Sequence, residues 1–124
     1  GVLLDDGIAT MWMAKAAKAG HLDAAVEYGI RLFNGIGTHK DIIAAAGWFQ
    51  RAAEAGNPIG QNRYARVLAS GMGADPDPVA AAKWHLIAEK RGAKDEWLDE
   101  FVEKLPEGQR KAAEIAAERW PAGH

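Results

Sequence analysis

The side chains of this chain that could do chemistry are four histidines, one acidic stripe and two neighbouring arginines. Metal-binding histidines stand at short fixed spacings, or are completed by cysteine, because their ligand atoms must converge on one ion. None of His21, His39, His85 and His124 is paired in this way, and the 124-residue chain has no cysteine. The sequence therefore predicts no metal site and no bound cofactor, and it excludes thiol chemistry and disulfides.

The acidic stripe consists of Glu96, Asp99, Glu100 and Glu103, which step along one face of a predicted helix. Two carboxylates can form a general acid–base pair, and a row of them can dock a basic partner. Catalysis would also need a nucleophile or an oxyanion donor beside a pocket. No Ser-His-Asp spacing is present, and the glycine loop at 35–37 follows a predicted helix, whereas a nucleotide-binding loop follows a strand. We interpret the stripe as a solvated face and predict that the protein is not an enzyme.

Arg63 and Arg66 lie one helical turn apart, so their guanidinium groups could clamp a carboxylate or a phosphate of a partner. The alternative is a structural ion pair between Arg63 and Glu27, which lies one repeat earlier. Lys and Arg number 15 against 17 Asp and Glu, which leaves a net charge of −2. That balance supplies no basic field, so nucleic acid is not a predicted partner. No apolar run is long enough to insert into a membrane.

The helices that would position these side chains recur every 36 residues. Trp12, Trp48, Trp84 and Trp120 stand at that interval, and aspartate, alanine and glycine positions recur in step with them. A fixed period of a few tens of residues is the signature of a repeat array. Apolar periodicity, capping aspartates and terminating glycines predict an all-α chain of about seven helices, at 5–19, 22–34, 41–55, 58–70, 77–91, 94–104 and 106–120. We divide the chain into a partial repeat (1–19), two repeats (20–55 and 56–91) and a degenerate C-terminal capping repeat (92–124).

The recurring residues resemble the Sel1-like repeat, a longer-looped relative of the tetratricopeptide repeat. The matching positions in the first full copy are Ala24, Tyr28, Gly29, Leu32, Gly35, Gly37, Asp41, Ala45, Trp48, Ala52, Ala53 and Gly56. The resemblance implies a right-handed α-solenoid of stacked antiparallel helix pairs. It also implies that the chain is part of a longer bacterial protein that acts as a protein–protein adaptor. It favours the bacterial periplasm, with the cytoplasm as the alternative. One branch of the family has a cysteine pair in every repeat and is associated with β-lactam binding, which is not transferred to this cysteine-free chain.

The first helix of each pair lines the concave surface in this class of solenoid. If Ala24, Tyr28 and Leu32 face the core, a rotation of 100° per residue places a second set on the opposite side. That set, one period apart in three copies, is Asp23, Val26, Ile30, Ile59, Asn62, Arg66, Asp95, Leu98 and Val102. Its mixture of apolar side chains and single charges suits a peptide better than a polyanion. The alternative is that some of the apolar members only pack against an adjacent helix.

The resulting hypothesis is an interaction scaffold that presents this groove to a peptide or protein partner. Two alternatives remain open at this stage. The groove could bind or hydrolyse a small molecule or glycan, or the array could be a structural spacer with no groove partner. A deep pocket with convergent polar groups would favour the small-molecule function, whereas a broad open groove would favour the scaffold.

Four further predictions concern packing. The repeat tryptophans, Trp48 among them, are expected in the core, where an aromatic ring buries roughly 150–250 Å². Gly29 is expected to admit a neighbouring helix closely. Gly60 stands where the repeat has alanine, and is expected to loosen its contact. His85 stands in phase with Phe49, and is expected to be a packed or half-buried ring instead of a ligand.

Overall fold

The structure, a computed structural model, describes residues 5–121, and within that range it contains seven α-helices and no strand. The helices are α1 (Asp6–Lys18), α2 (Leu22–Asn34), α3 (Ile42–Glu54), α4 (Pro58–Ser70), α5 (Pro78–Lys90), α6 (Glu96–Glu103) and α7 (Glu107–Arg119). The predicted all-α architecture is confirmed. Most observed bounds lie within one or two residues of the predicted ones, because several residues assigned to helices are their caps.

Aspartates mark the starts of α1, α3 and α5 from just outside each helix. Asp5, Asp41 and Asp77 each accept a hydrogen bond from a backbone amide of the first turn, at 2.9 to 3.0 Å. An N-cap oxygen satisfies an N–H group that has no partner within the helix, which stabilises the helix by about 1 kcal/mol. The recurring aspartate is therefore a repeated start signal.

Helices stack in chain order from α1 to α5, each packing against the next. After α5 the order changes, because α5 packs more extensively against α7 than against α6, the helix that follows it in the chain. Apolar side chains form one core cluster around Phe49 and a second around Trp84, with Tyr64 packed against both. Each interior helix is thus covered on more than one side by its neighbours.

The repeat tryptophans do not share one environment. Trp84 is only 5% exposed and packs against Tyr64, with ring centroids 6.2 Å apart. Trp48 is half-buried and meets Tyr28 edge-on at 5.6 Å. Trp12 is 60% exposed. The core prediction is therefore right for Trp84, right in part for Trp48, and wrong for Trp12.

Two helical glycines mark close approaches between neighbouring helices. A Cβ atom added to Gly29 would lie 2.6 Å from the ring of Phe49, which confirms the predicted close approach of α2 and α3. A Cβ atom on Gly60 would lie 2.5 Å from that of Ala52. The expectation that Gly60 loosens its contact is wrong, because α4 approaches α3 more closely than an alanine would allow.

Candidate functional site

Two of the nine residues predicted to line the groove lie in the core instead. Val26 and Leu98 are buried, at 5% and 0% exposure, so neither can meet a partner. The prediction failed because it assumed one buried face per helix. In the stack, α2 packs against both α1 and α3, and Leu98 of α6 enters the cluster around Trp84. The buried arc is consequently wider than one helical face.

The other seven residues differ in exposure and in partners. Asp23, Ile59 and Arg66 are exposed, Ile30, Asn62 and Val102 are half-buried, and Asp95 is buried. Asp23 accepts a hydrogen bond from the Asn57 amide at 3.2 Å, away from the others. The fold brings three members together, Asn62 and Arg66 on α4 with Asp95 at the start of α6. The set is therefore not one continuous surface.

Asp95 organises this three-residue cluster. Its carboxylate accepts two hydrogen bonds from the Arg66 guanidinium, Nε at 2.6 Å and Nη2 at 2.9 Å, and a third from Asn62 at 2.9 Å. It also caps α6 by accepting from the Leu98 amide at 3.1 Å. Burial by itself would raise the pKa of Asp95, but the hydrogen bonds from Arg66, Asn62 and Leu98 and the arginine charge outweigh it and lower the pKa to about 2. Arg66 is thereby held in one orientation.

Trp97, in the first turn of α6, fixes Arg66 from the other side. The guanidinium carbon of Arg66 lies 5.2 Å from the centroid of the Trp97 ring, within cation–π range. Trp97 in turn stacks on Phe101, with centroids 6.1 Å apart and 18° between the ring planes. Its ring is still about half exposed. Arg66 and Trp97 therefore form an ordered wall with a face open to solvent.

This wall bounds a cavity of about 350 Å³ that lies across α2, α3, α4 and α6. We call it the α2–α4 groove. Its apolar lining is Ile30, Phe33, Phe49, Val67, Met72 and Trp97. Its polar lining is Asn34, Arg63, Arg66 and Ser70. Of the predicted set, only Ile30 and Arg66 line it.

Trp97 is the groove residue for which the sequence carried a usable signal. Four of the five tryptophans keep the 36-residue period of the repeat, but Trp97 does not. An off-period tryptophan is not explained by the repeat, and that points to another role. Nothing in the sequence identifies Phe33 and Met72 as groove residues, because their exposure depends on the neighbouring repeat.

Arg63 also lines the groove, and the predicted ion pair with Glu27 is wrong. Glu27 pairs within its own helix with Arg31, at 3.3 Å. Within residues 5–121, Arg63 is exposed and forms no ion pair. Its charge is available to a ligand in the groove.

A second polar cluster lies around His85. Its Nε2 atom is 2.7 Å from the Asp99 carboxylate and 3.8 Å from that of Glu89. The ring is 1% exposed, which confirms the prediction of a packed histidine. The prediction of a solvated acidic stripe holds only in part at Asp99, whose half-exposed side chain reaches back to α5. A histidine that binds a metal through one ring nitrogen usually donates a hydrogen bond from the N–H group of the other ring nitrogen to a further group. The Nδ1 atom of His85 has no hydrogen-bond partner among the described residues, and the arrangement fits a structural hydrogen bond between α5 and α6.

The Sel1 repeat matches three successive segments, residues 1–21, 22–57 and 58–92. The chain belongs to the Sel1 repeat family. The sequence resemblance and the solenoid fold are thus confirmed. No curated protein sequence matches the chain.

Two solved Sel1-type structures are similar to this chain. One is a protective antigen of uropathogenic Escherichia coli with an SLR fold, at a TM-score of 0.88 and 27% identity over 96% of this chain. The other is a Sel1 repeat protein from Oxalobacter formigenes, at a TM-score of 0.73 and 22% identity over 91% of this chain. The matches span 27% and 50% of those two chains, respectively. None of the helices within residues 5–121 has the length and apolar character that a membrane crossing requires.

Because of the Asp95 cluster, the free energy of unfolding of this Sel1 solenoid is expected to fall at acidic pH. The pKa of Asp95 is about 2 in the folded chain against an ordinary value of 3.8, so the unfolded chain binds this proton more readily. The contribution is fully present above about pH 4 and is lost as the pH falls through 2. We expect it to be about 1–2 kcal/mol, because the half-exposed Arg66 is screened by solvent.

Urea unfolding between pH 7 and pH 2.5 measures this contribution, with Asp95→Asn as the comparison. Asparagine keeps the N-cap and removes the charge, so the variant should lose less stability on acidification than the wild type. Equal losses in the two proteins would contradict the prediction.

Proposed function

We propose that the protein is an interaction scaffold that binds a segment of another protein in the α2–α4 groove. The observation that carries the proposal is the ordered wall of Arg66 and Trp97 beside an apolar floor that is open to solvent. Side chains that are already fixed lose little conformational entropy on binding, so more of the contact energy appears as affinity. Sel1 solenoids commonly serve as scaffolds for protein interaction, and we propose no catalytic role for the chain.

The composition of the groove supports a protein partner. Tryptophan, phenylalanine, methionine and arginine are enriched at the centres of protein interfaces, and tryptophan and arginine are frequent among the residues that dominate binding energy. The groove is lined by α2 and α4, the first helices of consecutive repeats, and reaches Trp97 on α6. A surface that crosses several helices fits an extended or helical peptide, with apolar side chains as anchors.

Substitution of Ile30 by glutamate is expected to weaken peptide binding by about 10- to 100-fold, because it places a charge in the apolar floor. The measurement starts with selection of binders from a displayed random peptide library on the wild-type protein. Affinities of the selected peptides are then determined for wild type and variants.

Ile43→Glu is the matched control for this experiment. Ile43 is 74% exposed and is not part of the groove, so the same substitution there should leave affinity unchanged. Equal affinities of the Ile30 and Ile43 variants for the selected peptides would contradict the proposal. Circular dichroism of both variants checks that the helices are retained.

The size of the groove favours a second candidate, binding of a small molecule or glycan. A volume of about 350 Å³ lies within the range of roughly 300–1,000 Å³ that is typical of small-molecule sites. A library of such compounds, tested by thermal shift against wild type and Ile30→Glu, separates the two functions. Compounds that stabilise only the wild type, together with no selected peptide, would favour this candidate over the scaffold.

A further inference from the structure

We propose that the partner segment carries an aspartate or glutamate side chain next to a large apolar side chain, and that Arg63 binds its carboxylate. This inference rests on the proposed function and specifies the chemistry of the partner. It starts from the charge of the α2–α4 groove. None of the described residues that line the groove is acidic, whereas two are arginines.

The two arginines differ in what they can offer. Arg66 is neutralised by Asp95, which occupies its Nε and Nη2 atoms. Arg63, one turn earlier on α4, has no ion pair within residues 5–121 and is exposed. A single free guanidinium can bind one carboxylate through two parallel hydrogen bonds. The uncompensated positive charge in the groove is therefore that of Arg63.

The position of Arg63 joins an apolar space to a polar one. Arg63, Arg66 and Trp97 line the apolar groove on one side and also an open depression on the other. That depression contains Asn62, Lys94, Asp95 and Glu96, so its lining is mostly polar. A ligand that puts an apolar side chain into the groove would place a neighbouring carboxylate at Arg63. Because the apolar groove and the polar depression adjoin at Arg63, the site favours a ligand with an acidic residue beside an apolar one.

An acidic side chain fits this site better than a chain-terminal carboxylate. Terminal carboxylates are commonly captured by several free backbone N–H groups. The start of α6 borders this site, and there the Leu98 amide already bonds to Asp95. The Arg63 guanidinium is a side-chain donor and binds a carboxylate without requiring a chain end.

The test uses peptides selected from a displayed random library on the wild-type chain. We expect enrichment of aspartate or glutamate within two positions of a large apolar residue. Changing that acidic residue to its amide should weaken binding to the wild type about tenfold. The same peptide change should have no effect on Arg63→Gln, because the two groups act as a pair. Arg119→Gln, at an exposed arginine of α7, is the matched control and should behave like the wild type.

The outcomes separate this inference from the proposed function. Selected peptides that lose affinity for Ile30→Glu but show no acidic enrichment and no response to Arg63→Gln would overturn the inference and leave the scaffold function intact. Peptides that depend on a free C-terminal carboxylate, with no acidic side chain, would overturn it in the same way. Failure to select any groove-dependent peptide would overturn both.

Discussion

Replacing Trp84 by alanine is expected to lower the free energy of unfolding by about 3–5 kcal/mol. The ring lies in the core cluster and packs edge-on against Trp120, with centroids 5.7 Å apart, and against Tyr64. Its removal would leave a cavity where α4, α5 and α7 meet. Since small domains are stable by only about 5–15 kcal/mol, the loss is a large share of the total.

Urea unfolding followed by far-UV circular dichroism measures this effect, and Trp12→Ala is the matched control. Trp12 is a tryptophan at the same repeat position as Trp84, but it is 60% exposed. The Trp12→Ala substitution should therefore lower the free energy of unfolding by less than about 1 kcal/mol. Trp48→Ala should fall between the two, because Trp48 is half-buried. A loss for Trp12→Ala as large as that for Trp84→Ala would contradict the burial pattern.

Replacing Gly73 by alanine is expected to cost about 2–5 kcal/mol. Gly73 has a φ angle of +107°, which L-residues adopt at a cost of about 1–2 kcal/mol. A methyl group there would also overlap the Ile42 carbonyl oxygen and lie 3.1 Å from the Ala46 Cβ atom. Overpacking against backbone adds about 1–3 kcal/mol, because a carbonyl group cannot rotate away as a side chain can.

Gly92→Ala separates the two contributions. Gly92 has a similar φ angle of +94°, but a Cβ atom there would have no heavy atom within 4 Å. Its substitution should therefore show the conformational cost alone, by the same urea measurement. If the two glycine variants lose equal stability, the contact between the Gly73 loop and α3 does not contribute to the cost of the Gly73 substitution.

The glycine loops thus serve stacking. Gly37 stands one period before Gly73, and a side chain there would meet the Asp6 carbonyl at the start of α1. Each loop therefore rests on the first turn of the second helix in the preceding repeat. This contact explains why glycine recurs at the repeat period, and why the Gly-x-Gly pattern has no nucleotide-binding context here.

Most of the fold could be predicted from the sequence because its signals are local. An aspartate cap, an apolar stripe and a terminating glycine act within a few residues, so their recurrence every 36 residues identifies each helix. The first helix of each full repeat, α2 at 22–34 and α4 at 58–70, was predicted with the bounds that the structure shows. The family followed from the same period.

The candidate site depended on contacts between repeats, which the period does not contain. Trp12 and Trp84 occupy equivalent repeat positions, yet one is exposed and the other buried, because burial is supplied by the neighbouring helix. Val26 and Leu98 fell in the core for the same reason. Ile30, Arg63 and Trp97 come from three helices far apart in the chain, and only the stacking of those helices makes them one groove. Local sequence therefore determined the helices of this protein, whereas tertiary packing decided which of their faces remain open to a partner.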